Sequence, residues 1–279
     1  MKHRFEKADQ LVADFETVLK TPRHNATPPF YVGVDLGTAC VVVVVLDAEK
    51  RPVAGKMQYA DVVRDGMVVD YIGAVDIVRR MKDELEQELD TELVYAAAAI
   101  PPETGSIDGG AIKNVVESAG FQLTNLLDEP TAANAVLNIT DGAIVDIGGG
   151  TTGISIFKDG HVTDVSDEAT GGTHFSLVVS GAYKMPYDEA ERFKRNPAHH
   201  KELLPVLAPV IDKVSAIVSH HVAGHAVDNI VLVGGTACLN GIEEIVERRT
   251  GIPTFKPQQP MFVTPLGIAL NCQLPEEGN

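Results

Sequence analysis

Asp146-Ile147-Gly148-Gly149-Gly150-Thr151-Thr152 follows the apolar run 143–145 (AIV), and an earlier stretch, Asp35-Leu36-Gly37-Thr38, follows the apolar run 30–34 (FYVGV). In each copy the turn leads into a second apolar-rich run, 40–46 in one and 153–157 in the other. A turn signal comes next, Asp47-Ala48-Glu49-Lys50 and Lys158-Asp159-Gly160, and then a third strand-like stretch. Two strand–D-x-G–strand hairpins, one in each half, are what is needed to grip a polyphosphate from both sides. Gly37, Gly148, Gly149 and Gly150 let backbone N–H groups approach phosphate oxygens with no Cβ in the way, and Thr38, Thr151 and Thr152 add hydroxyl donors. Aspartate cannot face phosphate directly, so Asp35 and Asp146 are expected to hold, through water, a Mg2+ that neutralises it. One D-x-G-T has no weight as a signal; its recurrence at matching places in two halves has a great deal.

Composition narrows the classes. A length of 279 residues suggests roughly two domains, and a hydrophobic content of 44% is ordinary for a chain with a full core. A formal charge of −16 disfavours non-specific binding to nucleic acid or anionic lipid, and the absence of Trp argues against a base-stacking surface. An acidic chain can still hold a nucleotide through local N–H groups and a metal. Cys40, Cys238 and Cys272 show no C-x-x-C spacing and read as reduced thiols of a cytosolic protein, packed as small apolar groups. No stretch reads as long and apolar enough to cross a membrane, the run 41–46 being far too short. The N-terminus has no apolar segment of the secretory kind.

Residues 1–20 have the spacing of an amphipathic helix, with Phe5, Ala8, Val12, Phe15 and Leu19 on one face. The stretch 21–29 carries three prolines and reads as a linker, so the body begins near Phe30. A helix on such a tether either docks on its own body or reaches a partner; the body is the simpler reading, because a bare apolar stripe is normally covered. The first half, 30–138, reads as three strands, a short excursion 61–71 with an Asp-Gly turn, helix 72–89, strand 92–100, helix 112–119, strand 121–127 and helix 131–137. The second half, 139–279, opens with strands 143–146, 153–157 and 162–165. Helices 173–181, 187–196 and 203–221 follow, then strand 230–233, helix 241–249, strand 253–255 and helix 264–270. A βββαβα unit used twice predicts an α/β fold with two mixed sheets flanking a cleft, and ligands bind where strand ends meet loop glycines.

These residues resemble the actin–Hsp70–sugar kinase ATPase superfamily, with its ribonuclease H-like βββαβα domains, over nearly the whole chain after the linker. The phosphate loops are matched by Asp35 to Thr38 and Asp146 to Thr152, and the connecting helices by Glu129-Pro130-Thr131-Ala132-Ala133 and Pro265-Leu266-Gly267-Ile268-Ala269. Val233-Gly234-Gly235-Thr236 is similar to the adenosine loop, and Gly171-Gly172, with Phe175 behind, to the turn over the nucleotide. The resemblance implies that Glu129 orients the attacking water, that Glu191 and Lys194 bracket the ribose, and that the bare backbone at Gly234, Gly235 and Thr236 faces adenine. The stretches DVVRDGMVVDY, LLDEPTAANAV, VDIGGGTTGISIFKDG and SDEATGGTHFS narrow this further. Together they resemble the ethanolamine-utilisation EutJ family, chaperone-like ATPases encoded with bacterial microcompartment genes. That resemblance implies ATP/ADP and Mg2+ as cofactors and an ethanolamine-pathway enzyme or microcompartment shell protein as partner. It also implies a cytoplasmic setting, free or beside a microcompartment, with no nucleic acid, no membrane insertion and the oligomeric state left open.

Departures from the superfamily pattern matter equally. The lobe that carries a γ-phosphate lysine in Hsp70 proteins is reduced here to 61–71, where Arg64 is a poor substitute, and Ala237-Cys238 replace the adenine-stacking Arg. Nucleotide binding should survive these losses; fast hydrolysis should not. Two functions therefore stand side by side: a slow Mg-ATP-dependent chaperone-like switch, and an ATP-binding scaffold or filament protein of the PilM, FtsA or MreB kind. A small-molecule kinase ranks below both, because the trimmed lobes leave little material for a substrate pocket. The body ends near Leu270, so no peptide-binding domain of the Hsp70 type is expected, and 1–29 also resembles an encapsulation peptide. The pairs His199-His200 and His220-His221 are not expected to bind metal, since adjacent side chains on a helix point apart.

Overall fold

The computed structural model describes residues 5–64, 66–102 and 106–275, with side chains for all of these except 106–108. In chain order the elements begin with α1 (Glu6–Val18), β1 (Tyr31–Leu36), β2 (Cys40–Leu46), β3 (Pro52–Tyr59), β4 (Val63–Arg64) and β5 (Met67–Val68). They continue with α2 (Tyr71–Leu89), β6 (Tyr95–Ile100), α3 (Ser106–Ser118), β7 (Gln122–Asp128) and α4 (Glu129–Leu137). Then come β8 (Gly142–Ile147), β9 (Thr152–Lys158), β10 (His161–Glu168), α5 (Gly172–Tyr183), α6 (Tyr187–Arg195) and α7 (His200–Val222). Last are β11 (Ile230–Val233), α8 (Ile242–Thr250), β12 (Thr254–Phe255) and α9 (Val263–Leu270).

The chain divides into two units, one running through Leu137 and taking in the chain from Phe262 onward, the other Asn138–Met261. Each is built on a five-stranded sheet, of order β3-β2-β1-β6-β7 in the first and β10-β9-β8-β11-β12 in the second. In chain order within each unit, both sheets read 3-2-1-4-5. The first three strands are antiparallel and the last two join parallel to the first. The register repeats as well. Asp35 pairs with Val42, Asp146 pairs with Gly153, and each aspartate is the penultimate residue of its unit's first strand.

In the first unit, β2 is a run of valines with almost no exposure from Val41 to Val45, which a strand covered on both faces requires. One cover is α1, whose Ala8, Val12, Phe15 and Val18 are buried. Phe15 packs edge-on against Phe262 with ring centroids 5.3 Å apart, and its ring occupies the space a side chain at Gly55 would need. The amphipathic helix therefore docks on its own body, with Val18 rather than Leu19 completing the stripe. The excursion 61–71 is a β4–β5 hairpin. Its expected Asp-Gly turn falls on Asp65, outside the described residues, and Gly66 has φ +78. Asp70 then caps α2, its Oδ1 accepting from the Gly73 N–H at 2.9 Å.

Two sequence expectations change. The segment 139–279 is not one domain, because α9 packs on the first unit: a Cβ at Gly33 would stand 2.5 Å from the Ala269 nitrogen, and one at Gly267 would collide with the Ala132 carbonyl of α4. Apolar periodicity announces a helix but does not say which sheet it covers. Second, the helical stretch Pro197–Val222 does meet the length and composition of a membrane span, with mean hydropathy 1.4 over its best window. Prediction from sequence began this helix three residues late, at 203; Pro205 and Pro209 lie inside α7. In the second unit Leu203, Leu207, Ile211, Val214, Val218 and Val222 of α7 are buried at three- and four-residue spacing within the core, which is why the helix is so apolar.

Candidate functional site

In the second unit the β8–β9 turn is closed by the Gly148 N–H donating to the Thr151 carbonyl at 3.0 Å. Its outer carbonyls are turned toward the protein. The Gly148 oxygen accepts from the Gly172 N–H at 2.9 Å and from Thr236 Oγ1 at 2.7 Å. The Gly149 oxygen accepts from the Thr173 N–H at 2.8 Å and from Thr173 Oγ1 at 3.0 Å. In a trans peptide the N–H points opposite to the C=O. The N–H groups of Gly149 and Gly150 are consequently aimed away from α5, side by side on the turn, an arrangement suited to an anion. The start of α5 braces this turn and spends its own first N–H groups in doing so.

Close approach explains the glycines. A Cβ at Gly171 would lie 2.7 Å from the Gly150 carbonyl carbon and 2.8 Å from the Thr151 nitrogen. At Gly172 it would lie 2.5 Å from Thr236 Oγ1 and 3.1 Å from Lys194 Nζ. Gly234 has φ +90, and a side chain there would strike the Asp146 carboxylate and the Ile147 carbonyl. Asp146 is thus held at the foot of the turn, 5% exposed, against bare backbone. Gly235 is exposed, with open space where its Cβ would be.

Asp146, Gly148, Gly149, Gly150, Gly171, Gly172, Gly234, Thr236, Glu191 and Lys194, far apart in sequence, come together here. Several of their polar groups face the protein. The Thr152 hydroxyl is fully buried and donates to the Thr170 carbonyl at 2.5 Å, so a direct phosphate contact from Thr152 is ruled out. Thr236 spends its hydroxyl on Gly148. Lys194 donates to the Gly172 carbonyl at 3.0 Å and pairs with Glu191 at 2.7 Å, its side chain 10% exposed. Ser176 donates to the same Glu191 carboxylate, and Arg195 approaches it at 3.6 Å.

Burial works to raise the Glu191 carboxyl, and Lys194, Ser176 and Arg195 together outweigh it, leaving the group below its usual range and ionised. Burial lowers the Lys194 ammonium against the pull of Glu191. The pair acts as a strut beneath Gly172, where the sequence reading put ribose contacts. Two contributors, Thr173 and Ser176, were not singled out in the sequence, and His200 was weighed there only as a metal ligand. Only Thr173 had a local signal, the glycine pair before it. The His200 ring accepts from the Asn240 N–H at Nδ1 (3.0 Å) and donates from Nε2 to the Lys194 carbonyl (3.1 Å). Burial lowers its pKa, so it serves as a neutral bracket.

The first unit repeats the turn. Gly37 N–H donates to the Cys40 carbonyl at 3.1 Å, the same three-residue span as in the second unit, and Asp35 and Thr38 beside it are half-buried. Asp128 Oδ1 accepts from the Thr131 N–H at 2.8 Å, capping α4 and placing Glu129 in that helix's first turn. Among the described residues no three His, Cys, Asp or Glu side chains gather as a metal centre. A single carboxylate at the foot of the second unit's turn, Asp146, suits a hard, largely hydrated cation and not an all-protein cage.

A five-stranded 3-2-1-4-5 sheet built twice, each with an aspartate–glycine turn after its first strand, defines the actin-like ATPase fold. The model of the type IV pilus assembly protein PilM family matches residues 112–263, more than half of the chain. Ethanolamine utilization protein EutJ of Salmonella typhimurium is 44% identical over 260 residues, covering 93% of this chain and 91% of that protein. The crystal structure of ethanolamine utilization protein EutJ from Carboxydothermus hydrogenoformans superposes with a TM-score of 0.90 at 45% identity, covering 95% of this chain and 99% of that one. MreB 5 of Spiroplasma citri bound to AMPPNP shares the fold alone, with a TM-score of 0.70 at 17% identity over 87% of this chain and 96% of its own. The chain belongs to the EutJ family of ethanolamine utilization proteins.

Proposed function

We propose that this protein binds Mg-ATP and serves ethanolamine utilisation as a slow chaperone-like switch, assembling or reactivating a pathway enzyme or a microcompartment shell protein. The observation that carries the reading is the braced β8–β9 turn, whose carbonyls are tied to Gly172, Thr173 and Thr236. That leaves adjacent glycine N–H groups as ready anion ligands. Gly149, Gly150 and Thr151 hold phosphate, the Gly148 N–H expected to join them being spent on the Thr151 carbonyl, and Asp146 holds the hydrated Mg2+. In the first unit the equivalent turn offers Asp35 and Thr38, the Gly37 N–H expected to join them being spent on the Cys40 carbonyl, and Glu129 orients water. Gly234 and Gly235 give adenine a surface without side chains. ATP supplies a phosphoryl group whose loss separates two states, and only a difference in affinity for those states can do work on a client. Limited proteolysis with ATP, with ADP and with neither tests the reading. Distinct protection patterns for the two nucleotides support a switch, and identical patterns exclude one.

A static ATP-binding scaffold of the PilM kind is the second reading. It is favoured by the commitments of two cations, one in each unit: Lys194 is locked to Glu191 and Gly172, and Arg64 is exposed and faces Asp61 at 3.4 Å. Neither is poised for a γ-phosphate. Turnover below one ATP per hour with saturable binding would select the scaffold.

A further inference from the structure

Three neighbouring strands of the second unit meet in one row at the foot of the phosphate turn. Asp146 of β8 pairs with Gly153 of β9, and Gly153 pairs in turn with Asp167 of β10. Residues directly opposed across a ladder project to the same face of a sheet, and neighbours along a strand project to opposite faces. Contacts on either side fix the assignment. Ile147, next to Asp146, lies in the core with α7, and Glu168, next to Asp167, reaches His221 of α7 at 3.2 Å. Asp146 and Asp167 therefore share the face turned away from α7, with the side-chain-free Gly153 between them.

The spacing fits one hydrated cation. Strands two apart in a sheet lie about 9.5 Å from each other. Mg2+ holds its waters at about 2.1 Å, and each water donates to a carboxylate over about 2.7 Å, so a hydrated ion spans about 9.5 Å between carboxylates on opposite sides. A side chain at position 153 would fill that gap, and glycine leaves it open. A second observation points to a polar occupant. Ser155, two residues along β9 and so on the same face, is fully buried, and its hydroxyl finds no partner among the described residues. Burying a hydroxyl unpaired is costly, and an ordered water from the shell of a neighbouring cation would satisfy it.

We infer that Asp167 is a second, water-mediated ligand of the nucleotide's Mg2+, facing Asp146 across Gly153. The inference rests on the Mg-ATP reading above. Carboxylates on two sides of the hydrated ion balance its charge and orient its waters, which one carboxylate cannot do alone. Without the ion, the same charge faces the polyphosphate and repels it. Asp167 thus makes nucleotide binding depend on Mg2+ in two ways, by attraction when the ion is present and by repulsion when it is absent.

The test is calorimetric titration of ATP into the nucleotide-free full chain, in Mg2+ and in EDTA, for the parent, Asp167→Asn and Asp164→Asn. Asp164 lies on the same strand but pairs with Ile156 of the α7 core and approaches His225 at 3.8 Å, so its variant changes net charge equally on the other face. Asp167→Asn should bind ATP about tenfold more weakly in Mg2+, with the Mg2+ concentration for half-maximal binding raised by about the same factor. In EDTA it should bind ATP at least as tightly as the parent. Asp164→Asn should match the parent in both conditions. If Asp167→Asn does not fold, Asp167→Ser takes its place with the same expected results. Equal loss of affinity with and without Mg2+ would mean a merely structural role, and that result, or affinities matching the parent, would overturn the assignment alone. A parent that binds no ATP in either condition would overturn the Mg-ATP reading itself, and the assignment with it.

Discussion

Gly172→Ala probes the bracing of the phosphate turn most sharply. Gly172 does not have positive φ, so alanine suits its backbone and any penalty must come from contact. The new Cβ would stand 2.5 Å from Thr236 Oγ1, roughly an ångström inside normal contact. Lys194 Nζ at 3.1 Å is the end of a flexible side chain and can yield. Thr236 cannot move without giving up its 2.7 Å bond to the Gly148 carbonyl. Loss of that bond costs about 1 kcal/mol, and residual crowding brings the total to about 1.5–2.5 kcal/mol. Helix propensity returns little at the first position of α5. Thr236→Ala alone should cost about 1 kcal/mol through the same bond. In the double variant the clash has no partner, so Gly172→Ala should then cost less than about 0.5 kcal/mol, a coupling of about 1 kcal/mol or more. Urea denaturation of the four proteins measures the cycle. Additive penalties would refute the reasoning, because they would mean that Thr236 is not what Gly172 makes room for.

Three other perturbations test the frame. Phe15→Ala empties a fully buried site against Phe262 and should cost about 3–5 kcal/mol, with protease cleavage in 20–29 appearing under native conditions as α1 releases. Gly267→Ala drives a methyl into the Ala132 carbonyl, so α4 and α9 must separate; a loss of about 3 kcal/mol should lower Tm by about 6–12 °C in a thermal scan. Burial works to raise the Asp47 carboxyl, but Arg51 and the N–H groups of Arg51 and Glu49 outweigh it, so it stays charged in the folded chain below its ordinary 3.8. Its contribution is complete above about pH 4 and is lost as pH falls through the lower folded value. Asp47→Asn should therefore be less stable than the parent at pH 7, with the gap closing below pH 4 in denaturant titrations; a gap that stays constant would rule out the carboxylate as its source.

The duplicated hairpins were legible because a strand, a D-x-G turn and a second strand are written locally, with period-two packing and a glycine where the chain reverses. Asp35 and Asp146 could be paired from sequence for the same reason, and they occupy the same register position in both sheets. Side-chain direction was not legible. Nothing in the A-E-x-x-K-like stretch says that Lys194 turns toward Gly172, because that depends on α5 lying beside α6. Thr152 looked like a phosphate ligand because it follows the glycines, yet strand alternation carries its side chain inward to Thr170. The placement of α9 was hidden for a related reason: its docking rests on Gly33 and Gly267, and a glycine needed for close approach reads in sequence as any other glycine. His200 was weighed only as a metal ligand, and its role as a bracket needed the Asn240 N–H, forty residues away, to be seen.

Calorimetric titration of Mg-ATP into nucleotide-free protein tests the central claim most directly, with Asp146→Ala measured alongside and checked for folding. The account predicts saturable binding near one nucleotide per chain, strongly weakened in the variant and in the absence of Mg2+. A folded parent protein that gives no binding heat and shows no ATP retention in equilibrium dialysis would contradict it, and the braced turn would then be a relic of the fold.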